Sequence, residues 1–190
     1  MILGPSNDRE LETYCDTNLM KSYFPPFVKE SDLILRYLAS AHKFDATHIV
    51  RITSDCWQMN PELIAECVQM MLAEKADYIC NTCHRSFIEG LDLQACTVRA
   101  LRWFDKNQTE QREHPFIEFD NNENVRKKFE KDGFKYIELI NPKAEWTIRT
   151  SIDTKEDIER ANKIYERFQK QSEGGKGLVR SNENKSAQIT

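Results

Sequence analysis

Two short β-rich runs flank a well-capped helix, and no other feature constrains the fold of this chain as strongly. His48 to Thr53 (His-Ile-Val-Arg-Ile-Thr) reads as a short buried strand. Asn60 is a good N-cap and Pro61 suits the first helical position. Leu63, Ile64, Cys67, Val68, Met71 and Leu72 then form one apolar stripe. Asp77 to Thr82 reads as a second strand. Strand, helix and strand within about 35 residues make a βαβ unit, which predicts parallel strands joined by a right-handed crossover.

The rest of the chain extends this pattern. Ser31 is expected to cap a helix with Asp32 in its first turn and Leu33, Tyr37 and Leu38 on its apolar face. Leu91 to Cys96 reads as a strand, and Thr97 caps a helix carrying Val98, Leu101 and Trp103. Glu110 to Asn121 reads as helical, bent or broken at Pro115. Phe134 to Leu139 alternates as a strand does. Thr154-Lys155-Glu156-Asp157 resembles a capping box with Asp in place of Glu or Gln. Behind it, Ile158, Ala161, Ile164, Tyr165 and Phe168 make the apolar face of a last helix. From Gln171 onward the composition is polar, so residues 171–190 are expected to be a disordered tail behind a domain of 1–170. Trp103, Phe104, Phe129 and Phe134 have the spacing of core residues.

Composition removes several function classes. The chain has 6 glycines in 190 residues, and three of them, Gly174, Gly175 and Gly177, lie in the tail. Gly4, Gly90 and Gly133 are too far apart for a dinucleotide turn or a phosphate loop. A nucleotide would therefore not be held by a glycine-rich loop of this chain. The 27 basic and 31 acidic side chains leave a net charge of −4, which argues against a general nucleic-acid or anionic-membrane binder. No apolar run approaches the roughly 18 residues that span a bilayer. The N-terminal residues lack the pattern of a signal peptide. A cytoplasmic protein is expected, with its 6 cysteines as thiols.

Five places could carry chemistry. In Arg51-Ile52-Thr53-Ser54-Asp55-Cys56-Trp57, Asp55 falls just past the carboxyl end of a strand, where ligands of open α/β sheets bind. Asp55 and Ser54 equally suit a turn. Asp153, in Arg149-Thr150-Ser151-Ile152-Asp153-Thr154, again follows a β-rich run; it or Thr154 could instead cap the last helix. Two such Asp residues on neighbouring loops could hold one Mg²⁺, which binds through one or two carboxylates plus substrate phosphates. Cys80-Asn81-Thr82-Cys83-His84 has the letter pattern of haem attachment or half a zinc site, but nothing completes a tetrahedral set. A core thiol at Cys80 and a loop thiol at Cys83 are expected. His114, in Arg112-Glu113-His114, could act as a base or bind a carboxylate, or be structural in a helix. Asp92, after Glu89-Gly90-Leu91, is the fifth, with a turn as its alternative. No Asp-x-Asp occurs, which disfavours a glycosyltransferase that chelates its sugar nucleotide through that motif.

These stretches, in this order, resemble the cytidylyltransferases of the spore coat polysaccharide biosynthesis protein F type. Those are relatives of the enzymes that activate 3-deoxy-manno-octulosonate and acylneuraminate with CTP. The matching stretches begin at Asp32-Leu33-Ile34-Leu35-Arg36-Tyr37, run through those named above with Ala76 to Thr82, and end at Thr150 to Asp157. The resemblance covers nearly all of residues 1–170. The resemblance implies an α/β fold: a three-layer α/β/α sandwich with a mixed, mostly parallel sheet, like that of nucleotide-diphospho-sugar transferases. It implies transfer of CMP from CTP to a sugar or sugar acid for surface polysaccharide synthesis, with Mg²⁺ as cofactor. It allows a homodimer and implies neither a nucleic-acid nor a membrane partner.

Residue by residue, Asp55 and Asp153 match the family's metal-binding and catalytic carboxylates. Arg51, Thr53 and Ser54 would fall around the nucleotide; Asn81, Thr82, Asp92, Arg112 and His114 would fall around the substrate. Two departures stand out. Family members place Gly-Asp-Cys-Pro where this chain has Ser54-Asp55-Cys56-Trp57. They also begin with a strand and a Gly/Arg/Lys-bearing loop that grips the CTP phosphates, whereas Met1 to Pro5 aligns with the family's next strand. The resemblance therefore implies a sheet missing its first strand and weak or no catalysis by this chain. A non-catalytic sugar-nucleotide or partner-binding remnant, and a glycosyltransferase of similar topology, are the alternatives.

Overall fold

The computed structural model describes residues 1–143 and 149–175, backbone only from residue 168. Strands β1 (Ile2–Leu3) and β2 (Ser22–Tyr23) pair in parallel, connected through α1 (Arg9–Thr17), which Asp8 caps. There follow α2 (Leu33–Lys43), β3 (His48–Arg51), α3 (Pro61–Ala73), β4 (Tyr78–Cys80), β5 (Gln94–Thr97) and α4 (Val98–Asn107). The chain continues through α5 (Ile117–Asn121), α6 (Glu123–Lys131), β6 (Tyr136–Glu138) and α7 (Lys155–Gly175).

The main sheet has the order β3-β5-β4-β6. β5 is antiparallel to both neighbours, and β4 and β6 are parallel. β3 and β4 thus run the same way, as the βαβ pattern requires, but β5 lies between them. After β4 the chain returns without a crossover helix, and a direct return gives an antiparallel neighbour. Asn81 closes that return: its Nδ2 donates to Leu91 O at 2.7 Å and its Oδ1 accepts from Leu93 N at 2.8 Å.

Alternation along the strands makes the three layers. Tyr78, Cys80 and Cys96 face one side, where α2, α4, α5 and α6 supply Ile34, Trp103, Phe104, Phe119 and Phe129, and the residue before α5 supplies Phe116. Ile79, Leu93 and Ala95 face the other, against Leu63, Cys67 and Met71 of α3. Around Phe104 the rings meet mostly edge to face, with centroids 5.3 Å from Tyr78 and 4.9 Å from Phe116. The fold is the mixed α/β sandwich expected.

Local starts agree with the sequence in most places. Asn60 accepts from Glu62 N, and Thr97 accepts from Ala100 N. Helix α2 differs: Asp32, the residue directly before its first turn, is the cap, and Ser31 lies one position too early. Residues 110–116 form turns instead of helix, because Pro115 lacks the amide that a helix interior needs; only Ile117–Asn121 is helical. Along α7, Ala161 is buried while Ile158 stays half exposed, and Phe168 lies outside the described side chains. The expected tail from 171 overlaps the end of this helix, and residues 176–190 lie outside the described residues.

The two sheets do not join. The edges of β1 and β3 line one groove of about 850 Å³, with apolar Met1, Val50 and Ile52 exposed. Among the described residues, no helix is long and apolar enough to cross a membrane.

Candidate active site

A cleft of about 390 Å³ opens where β3 and β4 end and β5 begins. Arg51, Thr53 and Asp55 enter it from β3 and its following loop. Thr82 enters after β4, Asp92 and Gln94 before and on β5, and His114 with Asp120 from the turn and helix α5. This is the carboxyl end of the parallel strands, the position that favours ligands in open α/β sheets.

Six of the residues singled out in the sequence meet in this cleft: Arg51, Thr53, Asp55, Thr82, Asp92 and His114. Arg51 donates to Gln94 Oε1 at 2.8 Å, and its buried Nε has no partner. Arg85, which the sequence did not single out, holds Asp92 through both oxygens at 3.3 and 3.4 Å. His114 is exposed on a turn instead of lying in a helix. Ser54 is exposed and opens on the groove between the sheets instead.

Two singled-out residues are committed elsewhere. Asn81 is buried and spends its amide on the backbone of Leu91 and Leu93. Arg112 pairs with Asp32 at 2.9 Å and Asp105 at 2.5 Å, and donates to the carbonyls of Asp105 and Gln108. It fastens α2 to the end of α4 and does not line the cleft.

The floor of the cleft is Asp120, which the sequence reading missed. It is buried, and Tyr78 Oη donates to it at 2.9 Å, Thr82 Oγ1 at 2.7 Å and Gln94 Nε2 at 2.6 Å. Burial pushes its carboxyl above the usual carboxylate range, against the pull of these donors. Its partners come from β4, the loop after β4 and β5, so no local sequence pattern marks it.

Three loops are stitched together beside the cleft. Ile152 N donates to Asp55 O at 3.1 Å, Trp57 Nε1 to Thr150 O at 2.9 Å and Thr150 N to Glu89 O at 2.8 Å. Trp57, the departure from the family pattern, therefore ties the Asp55 loop to the Asp153 loop. Gly90 makes the third loop possible. Its φ is +100°, and a Cβ there would lie 2.5 Å from Thr150 Oγ1 and 2.6 Å from Ser151 N. Gly90→Ala is expected to cost more than about 1 kcal/mol, read as a lowered denaturation midpoint. The same substitution at Gly133, where a Cβ meets nothing within 4 Å, bears only the backbone strain of its φ of +83°.

Asp153 does not line the cleft. Its carboxylate is held by Arg149 and by Ser151 Oγ, the latter at 2.9 Å. Neighbouring Asp157 completes the helix start: it accepts from the amides of Asp153 and Thr154 at 2.9 Å each and pairs with Arg160 at 2.9 Å. The Asp153 amide above all, then that of Thr154, holds its carboxyl at about 2, below the usual 3.8. A depressed folded value stabilises the fold through the ionised carboxylate, and stability falls with pH across the range where the unfolded chain alone binds the proton. This contribution is whole above pH 3.8 and is lost as pH falls towards about 2. Asp157→Asn is expected to flatten that part of the acid-denaturation curve.

For a hard divalent ion the carboxylates at the cleft, besides Asp120, are those of Asp55, Glu113 and Asp92, the last held by Arg85, with Asp153 outside it behind its Arg149 contact. One or two such oxygens together with substrate phosphates suit Mg²⁺. Among the described residues, the one group of three close metal-capable donors is Cys80, Cys83 and Asp120. Both oxygens of Asp120 are already taken, and His84 is turned to Glu138.

No family model matches the chain, nor does any curated protein. A cytidylyltransferase from Leptospira borgpetersenii serovar Hardjo-bovis superposes with a TM-score of 0.67 and 27% identity, over 80% of this chain. The chain spans 61% of the length of that protein. In both fold and sequence, then, this chain is similar to a cytidylyltransferase.

Proposed function

We propose that the chain is cytidylyltransferase-like. Its cleft takes CTP and a sugar or sugar acid, whose hydroxyl attacks the α-phosphorus as pyrophosphate leaves. The observation that carries this reading is the gathering of Arg51, Thr53, Asp55, Thr82, Asp92 and His114 in one cleft at the strand ends. The similarity to a solved cytidylyltransferase supports it.

Phosphoryl transfer of this kind is mainly positioning and charge neutralisation. Arg51 and Thr53 face the nucleotide, whereas Ser54 opens on the groove between the sheets. Thr82, Asp92 and His114 face the acceptor sugar. Asn81 and Arg112 act from behind, by fixing the loop before β5 and the start of α2. Asp55, with Asp153 once released from Arg149, would hold Mg²⁺. Bound there, the ion supplies charge neutralisation on the phosphates. The product serves surface polysaccharide synthesis in the cytoplasm, with a homodimer as the assembly to test.

Slow turnover is part of the proposal. The cleft's arginines already have partners, Arg51 in Gln94 and Arg85 in Asp92. Among the residues lining it there is no lysine. Magnesium-dependent pyrophosphate release from CTP plus a sugar acid tests the reading. Binding of CTP without release favours the non-catalytic binder. Release of nucleoside diphosphate from a sugar nucleotide favours a glycosyltransferase.

A further inference from the structure

Cys80 ends β4 and Cys83 lies three residues on, with their sulfurs 2.9 Å apart. Cys80 belongs to the aromatic core and Cys83 packs against it, but the cleft chemistry uses neither thiol. We propose that Cys80 and Cys83 are a modification site: a dithiol that hydroperoxides convert to an intrachain disulfide, reversibly, at the back of the cleft floor.

Three observations carry this. First, access is selective. Of the 6 cysteines, Cys83 alone is not buried; Cys15, Cys56, Cys67, Cys80 and Cys96 all are. An oxidant meets Cys83 first, and the sulfur nearest to it is Cys80. Second, of the 6 cysteines only these two share a hydrogen bond between sulfurs. That bond lowers the Cys80 thiol below its usual value against the effect of burial and raises the Cys83 thiol, so the thiolate of the pair rests on Cys80. Burial pushes Cys67 up to about 12 and raises Cys56 and Cys96. Third, the competing use of two thiols is blocked. A zinc site needs four donors. Asp120 is saturated by Tyr78, Thr82 and Gln94, and His84 is drawn away by Glu138.

The step balances with one hydroperoxide per chain. In the singly ionised pair the charge rests on Cys80, and the reacting form is the minor one in which the Cys83 proton has moved to Cys80 along their hydrogen bond. The Cys83 thiolate then attacks the peroxide oxygen. With hydrogen peroxide, the O–O bond breaks, hydroxide leaves and a sulfenic acid forms. The Cys80 sulfur attacks the Cys83 sulfur, the S–O bond breaks, and the departing hydroxide takes the Cys80 proton as water. Both sulfurs are oxidised by one electron each, and the peroxide is reduced to water and hydroxide. Cys83 Sγ lies 3.5 Å from Asp120 Oδ1, so the change is felt at the cleft floor.

The test treats the full chain with hydrogen peroxide, alkylates it under denaturing conditions and measures the peptide from Ala76 to Arg85, which contains both cysteines. The expected result is loss of both alkyl labels from this peptide, with a mass lower by two hydrogens and full recovery after dithiothreitol. The other four cysteines should label fully. In Cys83→Ser, Cys80 should stay fully alkylatable. In Cys80→Ser, Cys83 should stop at a sulfenic acid that dimedone traps. The proposal is overturned if both labels persist in the wild-type chain, if Cys83 runs on to sulfinic acid with Cys80 still reduced, or if zinc bound to the thiolates blocks oxidation. Each readout is independent of the reaction proposed for the cleft.

Discussion

Asp55→Asn is expected to cut magnesium-dependent pyrophosphate release from CTP by about 10²–10³-fold, the size of losing several kcal/mol of charge stabilisation at the phosphates. The substitution keeps the side-chain shape and removes only the charge. The backbone bond from Ile152 N to Asp55 O is untouched, so the loop should hold its place. A denaturation midpoint equal to that of the parent chain would establish that the loss is chemical. Asp153→Asn is expected to do less by itself, because its carboxylate is shared with Arg149 and Ser151. Unchanged release by Asp55→Asn would remove the two-Asp metal site from the account.

The largest effect on stability belongs to Phe104→Ala, expected to cost about 3–5 kcal/mol through lost transfer energy and the cavity left behind. Phe104 is 1% exposed, and its ring meets those of Tyr78, Trp103, Phe116, Phe119 and Phe129. These rings come from β4, α4, α6 and the α5 segment, so no single element can shift to fill the hole. Chemical denaturation followed by tryptophan fluorescence reads the effect directly, since Trp103 packs beside the deleted ring. A loss below about 1 kcal/mol would mean that the aromatic layer can collapse onto the gap.

Helix starts were legible in the sequence because they are local. Asn60 before Pro61, Thr97 before Val98, and Thr154 with Asp157 each satisfy amides within three residues. Ser31 and Asp32 compete for one cap, and only the chain's path decides in favour of Asp32. Strand order was not legible. The insertion of β5 between β3 and β4 depends on where a long return lands, and the period of two within each strand carries no such information.

The site divides in the same way. Asp55, Thr82 and Asp92 sit just beyond strand ends or before a strand, so position along the chain was enough to find them. Asn81 and Arg112 have the right chemistry, but each is satisfied by backbone carbonyls and carboxylates that only the folded chain brings near. Asp120 is the converse: its environment is assembled from residues 26 to 42 positions away. The scarcity of glycine takes on a specific meaning at Gly90, where one glycine lets the Asp92 loop press against Thr150 and Ser151.

In the proposed function, a nucleotide and its metal meet at Asp55. Manganese, as a paramagnetic stand-in for magnesium, can be titrated into the isotope-labelled chain with CTP while the backbone amide signals are followed. CTP-dependent broadening is expected at Thr53, Asp55 and Asp92, with sharp signals at Lys131 and Gly133 at the other end of the sheet and loss of the broadening in Asp55→Asn. Broadening centred elsewhere, or unchanged in Asp55→Asn, would contradict this placement.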